Sequence, residues 1–421
     1  MTGIYHLSRM NAVREPTPVL SGLLSGAPLR ILEYWLRRAL EERSDPSTPP
    51  SSRESSPVPP ETRITALPDL IEALPAGERA LVDRIFAVSA TTGRLDPPVA
   101  MRAWVEKSFG SVDTVREQPI VKVMNRVTLE GALFNGLRAS RPLDTGVSVD
   151  LEREIRATVG DPFCRPEEGT PADVFGRVRG EHSVTASNVA KYDGFHGVII
   201  FDDHNPLHLT PERVADYVSV GLEWGRKALE TDPEARYPFL MWNCLWRAGG
   251  SIIHGHAQVT ATRGTHYPKV EHLRRAAATY KAEHGSNYFD DLYRVHDSLG
   301  LAIPAENGVR AFASLSPIKE KELVVIGGSP GDDLLKRTVG ALLEGYVQIL
   351  GVQTFNVAFY MSPLAPVDED WSGFPTVVHL VDRGSPTNRT SDIGAMELYA
   401  ASVVASDPFA VARALHDGLA G

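Results

Sequence analysis

The sequence predicts an α+β protein behind a helical N-terminal extension, and three observations carry that reading. Near the N-terminus, "LRILEYWLRRALEER" sets Leu29, Leu32, Trp35, Leu36 and Leu40 at helical spacing. From Ile120 onward the texture changes to short apolar runs separated by turn residues, which is how strands read. Within that region the order strand, helix, strand, strand occurs twice, which hints at a duplicated unit.

Taken in order, residues 1–118 form the extension. Its first helix is followed by "SDPSTPPSSRESSPVPPET" (44–62), a proline- and serine-rich segment that cannot bury a core and is predicted to be a disordered linker. Residues 66–108 read as further short helices, with Leu70, Leu74, Leu81, Ile85 and Phe86 as the apolar set. "PIVKVMNRV" and "GALFNGL" then predict a hairpin, and "GVIIF" (197–201) a buried strand. "LTPERVADYVSVGLEWGRKALE" opens a helix with Thr210 at the N-cap and Pro211 at the first position. The strand "PFLMWN", a glycine turn and a strand beginning at His254 come next. "EKELVVIGGSPGDDLLKRTVGALLEGYVQILG" repeats strand, turn and helix, with Leu334, Leu335, Val339, Leu342, Leu343 and Tyr346 as the core stripe. The strands "TFNVAFYMSP" and "PTVVHLV" follow it. The divisions expected are therefore 1–118, 119–262 and 263–421.

Composition narrows the function classes. A chain of 421 residues, 43% hydrophobic and 23% charged, is an ordinary globular protein with ample material for a core. Its formal net charge of −10 leaves no global basic footprint for nucleic acid or an anionic membrane. Phosphates, if bound, must be held by a few placed arginines and N–H groups. Two cysteines, Cys164 and Cys244, exclude a disulfide framework and fit a reducing cytoplasm. No apolar run approaches the roughly 18 residues of a membrane span, and the N-terminus lacks the apolar region of a signal peptide. A cytoplasmic protein with neither nucleic-acid nor membrane partners is expected.

The stretch richest in chemistry is "GGSIIHGHAQV" (249–259). Read as a strand, it points His254, His256 and Gln258 to one face. Gly249, Gly250 and Ser251 just before it form a turn whose N–H groups could cradle an anion. Together they suggest a phosphate site with a histidine nucleophile. A His-x-His pair is also a common pair of metal ligands, and either histidine alone could be a satisfied core residue.

"NCLWRAGGSIIHGHAQ" resembles the active-site segment of the galactose-1-phosphate uridylyltransferase family, a branch of the histidine-triad superfamily, with Asn243, Gly249, Ser251, His254, His256 and Gln258 on the motif. "NRVTLEGALFNGLRASRP" is similar to the family's first strands, and puts Arg138 and Arg141 on its phosphate-binding arginines. "FDDHNPLHLTPE" resembles the segment that supplies a zinc histidine, here His204. "SDIGAMELYAASVVASDPFAVARAL" is similar to the hexose-contacting segment, with Glu397 as the sugar-binding glutamate. The resemblance covers about 120–421. It implies two histidine-triad-like half-domains with antiparallel sheets, and commonly a homodimer. It also implies transfer of a nucleoside monophosphate from a nucleotide sugar to a sugar 1-phosphate or phosphate, through a nucleotidyl-histidine on His256. Gln258, Ser251, Asn243 and the backbone of Gly249 and Gly250 would then hold phosphate oxygens.

The chain departs from the family pattern in three places. Where the family's structural zinc uses Cys-x-x-Cys and two histidines, this chain reads "DPFC". The implied set is Asp161, Cys164, His204 and His254, and zinc accepts a carboxylate oxygen. The alternative is that the metal is lost and His254 orients its strand by a hydrogen bond. For the family's second metal site only His379 is well placed, so that site is not expected. Met396 and Val403 replace hexose-contacting positions, which leaves galactose unspecified. A nucleotide-sugar or dinucleoside polyphosphate phosphorylase or hydrolase of the same superfamily, or a nucleotide-binding sensor without turnover, are the alternatives. "GGSPGDD" (327–333) lacks the Gly-Lys-Ser/Thr of a P-loop and reads as a strand-to-helix turn. "DRGSPTNR" (382–389) reads as a surface turn whose arginines could reach a ligand.

Overall fold

The computed structural model describes residues 62–140, 150–388 and 390–419. The helix expected at 29–43, the linker up to residue 61 and Arg141 lie outside them.

The strand β1 (Phe86–Arg94) pairs antiparallel with β2 (Glu117–Asn125) from Phe86↔Asn125 to Arg94↔Glu117. β1 corrects the expectation of helices throughout 66–108. Helices do occupy Leu67–Ala73, Ala76–Ile85 and Val99–Phe109. Between them, Val88, Thr91 and Thr92 are β-branched and prefer an extended backbone once a partner strand is available. β2 turns into β3 (Gly131–Phe134), as the hairpin reading expects. The Asn125 side chain nucleates that turn, its Oδ1 accepting from the N–H groups of Val127 (2.9 Å) and Thr128 (3.1 Å). β13 (Ser402–Val404) returns from the far end of the chain to add parallel to β3.

The second sheet has nine strands in the order β4-β5-β7-β6-β11-β12-β10-β9-β8. Its first part holds β4 (Ser183–Ser187), β5 (Phe195–Phe201), β6 (Tyr237–Asn243) and β7 (His256–Thr262). Its second part holds β8 (Ala302–Ile303), β9 (Arg310–Ala313), β10 (Glu320–Gly327), β11 (Phe355–Tyr360) and β12 (Thr376–Asp382). The two parts meet where β6 pairs with β11, from Asn243↔Asn356 to Phe239↔Tyr360. β7 starts at His256, two residues later than expected, although Gly255 continues its ladder by accepting from Phe201 N–H (2.9 Å).

Helices Pro211–Thr231 and Asp333–Gln348 pack side by side on one face of this sheet. The first starts as the sequence predicts, with Thr210 Oγ1 accepting from Arg213 N–H (3.3 Å) ahead of Pro211. Its Trp224 and Val218 belong to the same buried core as Ile199, Leu240 and Val259. The second helix buries Leu335, Val339, Leu342, Leu343 and Tyr346. Leu334 does not belong to that stripe: it is 39% exposed, one residue of helix rotation away from the fully buried Leu335. Burying each such large side chain stabilises the fold by about 2 kcal/mol. With these helices behind it, the sheet offers its other face to chemistry, and cross-strand pairing puts His256, Gln258, Asn243 and Asn356 on that face.

Candidate active site

The site is built at the ends of β6 and β7. After Asn243 the chain folds back through a short 3-10 turn, Trp246–Ala248. Leu245 holds φ 66° and ψ 172°, a backbone region nearly reserved for glycine. Its buried side chain keeps it there, as does its carbonyl, which accepts from the N–H groups of Ala248 (3.1 Å) and Gly250 (2.9 Å). Gly249 is left-handed at φ 94°. A Cβ on Gly250 would lie 2.7 Å from the Asn243 carbonyl oxygen, so only glycine fits. The turn thus brings Gly249, Gly250 and the exposed Ser251 beside the start of β7.

His256 is buried, and its Nδ1 lies 2.8 Å from the His254 carbonyl oxygen. A carbonyl can only accept, so Nδ1 carries the proton and Nε2 presents a lone pair. Desolvation holds this imidazole below the ordinary histidine range and therefore neutral. Phe163 packs edge-on against both rings, 5.3 Å from His256 and 6.0 Å from His254.

Asp161, Cys164, His204 and His254 converge, with one donor atom from each within 4.8 Å of all the others. His204 Nδ1 and His254 Nδ1 are 3.0 Å apart, and Cys164 Sγ is 3.3 Å from the first and 3.5 Å from the second. The opposite ring nitrogens are both committed to carbonyls: His254 Nε2 donates to Phe201 (2.9 Å) and His204 Nε2 to Ile155 (3.0 Å). With both Nε2 atoms committed to carbonyls, the two Nδ1 atoms are left facing each other and the Cys164 Sγ, the arrangement a shared cation would hold. Asp161 Oδ1 accepts from the N–H groups of Phe163 (2.9 Å) and Cys164 (3.1 Å), while its buried Oδ2 has no partner.

The two carboxamides on the reactive face are held from behind. Gln258 Oε1 lies 2.8 Å from His196 Nε2, and Asn243 Oδ1 accepts from Asn356 Nδ2 at 2.7 Å. Asn356 is itself tied to Arg383 (2.6 Å), which Asp392 grips with both carboxylate oxygens.

No protein-family model matches the sequence, and no curated protein matches it. Solved structures do. An ADP-glucose phosphorylase from Arabidopsis thaliana, solved with bound ADP-glucose, is similar over 70% of this chain and 97% of that one, at 19% identity and a TM-score of 0.54. A GalT-like protein from the same plant is similar over 61% and 92%, at 18% identity and a TM-score of 0.50. This chain has the galactose-1-phosphate uridylyltransferase-like (GalT-like) fold.

Within the GalT-like fold, the predicted residues divide into two groups. His254, His256, Gln258, Asn243, Gly249, Gly250 and Ser251 share one neighbourhood at β6 and β7, and Cys164, His204 and Asp161 adjoin it through His254. Arg138 stands on the exposed 3-10 turn Gly136–Ser140 after β3. Glu397, on the short helix Ala395–Tyr399, accepts from Gly394 N–H (2.9 Å) and interacts electrostatically with Arg138. Among the described residues no hydrogen bond joins either of them to His256, Gln258 or Asn243. His379 lies on β12, where its Nδ1 meets Glu322 Oε1 at 2.9 Å. Sequence reasoning missed His196, Asn356 and Phe163, and marked Arg383 only as an arginine that could reach a ligand, whereas it bonds to Asn356. The available signal was period two: His196 and Asn356 are polar residues on strands that are otherwise apolar.

Proposed function

We propose that this chain is a nucleotidyltransferase that carries a nucleoside monophosphate from a nucleotide sugar to a sugar 1-phosphate or inorganic phosphate through a nucleotidyl-histidine on His256. The observation that carries the reading is the tautomer of His256. With Nδ1–H donated to the His254 carbonyl, the Nε2 lone pair is free to attack the α-phosphorus of the donor. An N–P bond forms, the P–O bond to the sugar 1-phosphate breaks, and its electron pair leaves with that product. The positive charge that develops on the imidazole is stabilised by the carbonyl already bonded to Nδ1. An acceptor phosphate oxygen then attacks the same phosphorus and returns His256 to its starting state. Gln258, Asn243 and Ser251 act as neutral donors to the phosphate oxygens, with Arg138 and Arg141 as their cationic partners. The Gly249 and Gly250 N–H groups, expected from the sequence to join them, are instead bonded within the turn to the Trp246 (3.0 Å) and Leu245 (2.9 Å) carbonyls. The fold shared with a protein solved with ADP-glucose bound supports a nucleotide sugar as donor. Glu397 is engaged in capping its own helix, which favours inorganic phosphate over a hexose phosphate as acceptor.

A structural zinc held by Asp161, Cys164, His204 and His254 belongs to the same proposal. The facing Nδ1 atoms of His204 and His254, the adjoining Cys164 Sγ and the buried Asp161 carboxylate fit a divalent cation, which would tie the 161–164 turn to the start of β7. The mirrored strand order supports two histidine-triad-like halves, 119–262 and 263–421, behind the extension 1–118. Among the described residues no helix is long and apolar enough to cross a membrane. A cytoplasmic homodimer completes the reading. The experiment is incubation with a panel of nucleotide sugars, with and without phosphate or glucose 1-phosphate, read by intact mass and product analysis. Donor cleavage that needs no acceptor and leaves no adduct would favour a hydrolase, and binding without cleavage would favour a sensor.

A further inference from the structure

Every polar contact behind the two carboxamides can be assigned a direction, because each chain of contacts ends on a group that can only donate or only accept. Arg383 has no acceptor, so the Asn356 atom 2.6 Å from its Nη1 is the carbonyl oxygen. Asn356 therefore turns its NH2 the other way, where it donates to the Ala248 carbonyl (2.9 Å) and to Asn243 (2.7 Å). The Asn243 atom it meets must be Oδ1, which leaves the Asn243 NH2 pointing away from Asn356. On the other side, His196 Nδ1 accepts from the Tyr192 backbone N–H at 3.0 Å. The neutral ring then carries its proton on Nε2 and donates it to Gln258 Oε1 (2.8 Å). Asn188 Nδ2, 3.3 Å from the same nitrogen, cannot also donate to it, and Asn188 Oδ1 is committed to Ala190 N–H (3.0 Å). Burial holds His196 below the ordinary histidine range, which preserves this tautomer.

We infer that His196 and Asn356 are positioning residues that lock Gln258 and Asn243 with their NH2 groups outward, as a pair of preorientated neutral donors for the transferring phosphate. A free carboxamide presents its oxygen as readily as its nitrogen, and an oxygen facing a phosphate oxygen is repulsive. The two locks remove that alternative before a ligand arrives, which is where preorganised donors act in transfer chemistry. They come from different parts of the chain: His196 from β5, Asn356 from β11, and Arg383 and Asp392 from the segment that follows β12. The Ala248 carbonyl bonded to Asn356 also pins the glycine turn to the same network.

This inference rests on the proposed nucleotidyl transfer, and the test separates the two. Single-turnover nucleotidylation of the full chain by ADP-glucose and by UDP-glucose is followed by intact mass, for wild type, His196→Phe, His196→Gln and Asn356→Asp. Asn356→Asp keeps the Arg383 partner but offers Asn243 only an acceptor, so the Asn243 amide flips and turns its oxygen to the ligand. His196→Phe frees Gln258, while a glutamine at 196 can donate to it again. The expected result is a rate about 10- to 100-fold lower for His196→Phe and Asn356→Asp, the scale of losing one oriented donor. His196→Gln recovers most of the loss, and nucleotide-sugar affinity changes less than about threefold in every variant. Should His196→Phe not fold, Asn356→Asp with its retained Arg383 pair decides the matter. Unchanged rates in variants of a wild type that forms the adduct overturn the inference alone. Equal losses in His196→Phe and His196→Gln do so as well, because they mark a packing role. A wild type that forms no adduct with either donor overturns the nucleotidyl-transfer reading and this inference with it.

Discussion

Asp161→Asn isolates the proposed metal from the architecture around it. The amide oxygen of asparagine still accepts from the N–H groups of Phe163 and Cys164, so the cap on the 162–164 turn survives. What is lost is the negative charge of a carboxylate whose Oδ1 lies 3.5 Å from His254 Nδ1, together with the second oxygen, Oδ2, which is buried without a partner. A metal held at a hundred times its dissociation constant stabilises the folded chain by about 2.7 kcal/mol, and each tenfold tighter binding adds about 1.4 kcal/mol. For 421 residues the unfolding entropy near 60 °C is roughly 0.9 kcal/mol per kelvin, so 2.7 kcal/mol moves Tm by about 3 °C. Elemental analysis should find one zinc per wild-type chain. Chelation should then lower the calorimetric Tm by at least about 3 °C, and Asp161→Asn should lie near the chelated wild type and respond little to chelator. A metal-free wild type whose Tm equals that of Asp161→Asn would refute the reasoning, and would leave His254 as a residue that orients β7 by its bond to Phe201.

Three further outcomes follow from the same geometry. Gly255→Ala places a Cβ 2.6 Å from Phe201 Cδ2 and 3.1 Å from the Asp203 carbonyl, and should cost about 1–3 kcal/mol while disturbing both flanking histidines; an unchanged Tm and adduct rate would contradict the packing described. Burial pushes His266 and His296 down to about 4, so below pH 6.5 the unfolded chain binds protons that the folded one refuses. Stability should therefore fall from pH 6.5 to 5, by on the order of 1 kcal/mol per pH unit for each histidine; denaturant titrations showing higher stability at pH 5 would refute this. Deleting residues 1–61 should spare adduct formation, because every residue assigned to the site lies beyond Asn125; the cut must stop short of Thr62 and Ile64, which bond to Arg413 (3.2 Å) and Asp407 (2.8 Å). A folded truncation unable to form the adduct would put the extension into the active site.

Local chemistry was legible in the sequence wherever a short-range rule decides it. Thr210 and Pro211 mark their helix start, and the period of Leu335, Val339, Leu342 and Leu343 its buried stripe. Leu334 misled because only its neighbour Leu335 lies on the buried stripe, and one residue of helix rotation turns Leu334 toward solvent. The strand at Phe86–Arg94 was hidden because its partner begins only at Glu117, so nothing within the segment itself reports the pairing. The converging Asp161, Cys164, His204 and His254 could be named from family spacing, since each keeps its place in the chain order. The residues that orient the carboxamides could not. His196 reaches Gln258 across 62 positions and Asn356 reaches Asn243 across 113, and both act through amide orientation, which no one-dimensional pattern encodes.

The most direct test of the account is to find the nucleotidyl group on the chain. Wild-type protein mixed with a reactive nucleotide sugar in the absence of acceptor should gain the mass of one nucleoside monophosphate. Proteolytic mapping should assign that mass to the peptide containing His256, and added phosphate or sugar 1-phosphate should discharge it. His256→Gly should bind the donor yet gain no mass. An adduct on a different residue, or a His256→Gly protein that still turns over at a near-normal rate, would contradict the assignment of His256 as the nucleophile.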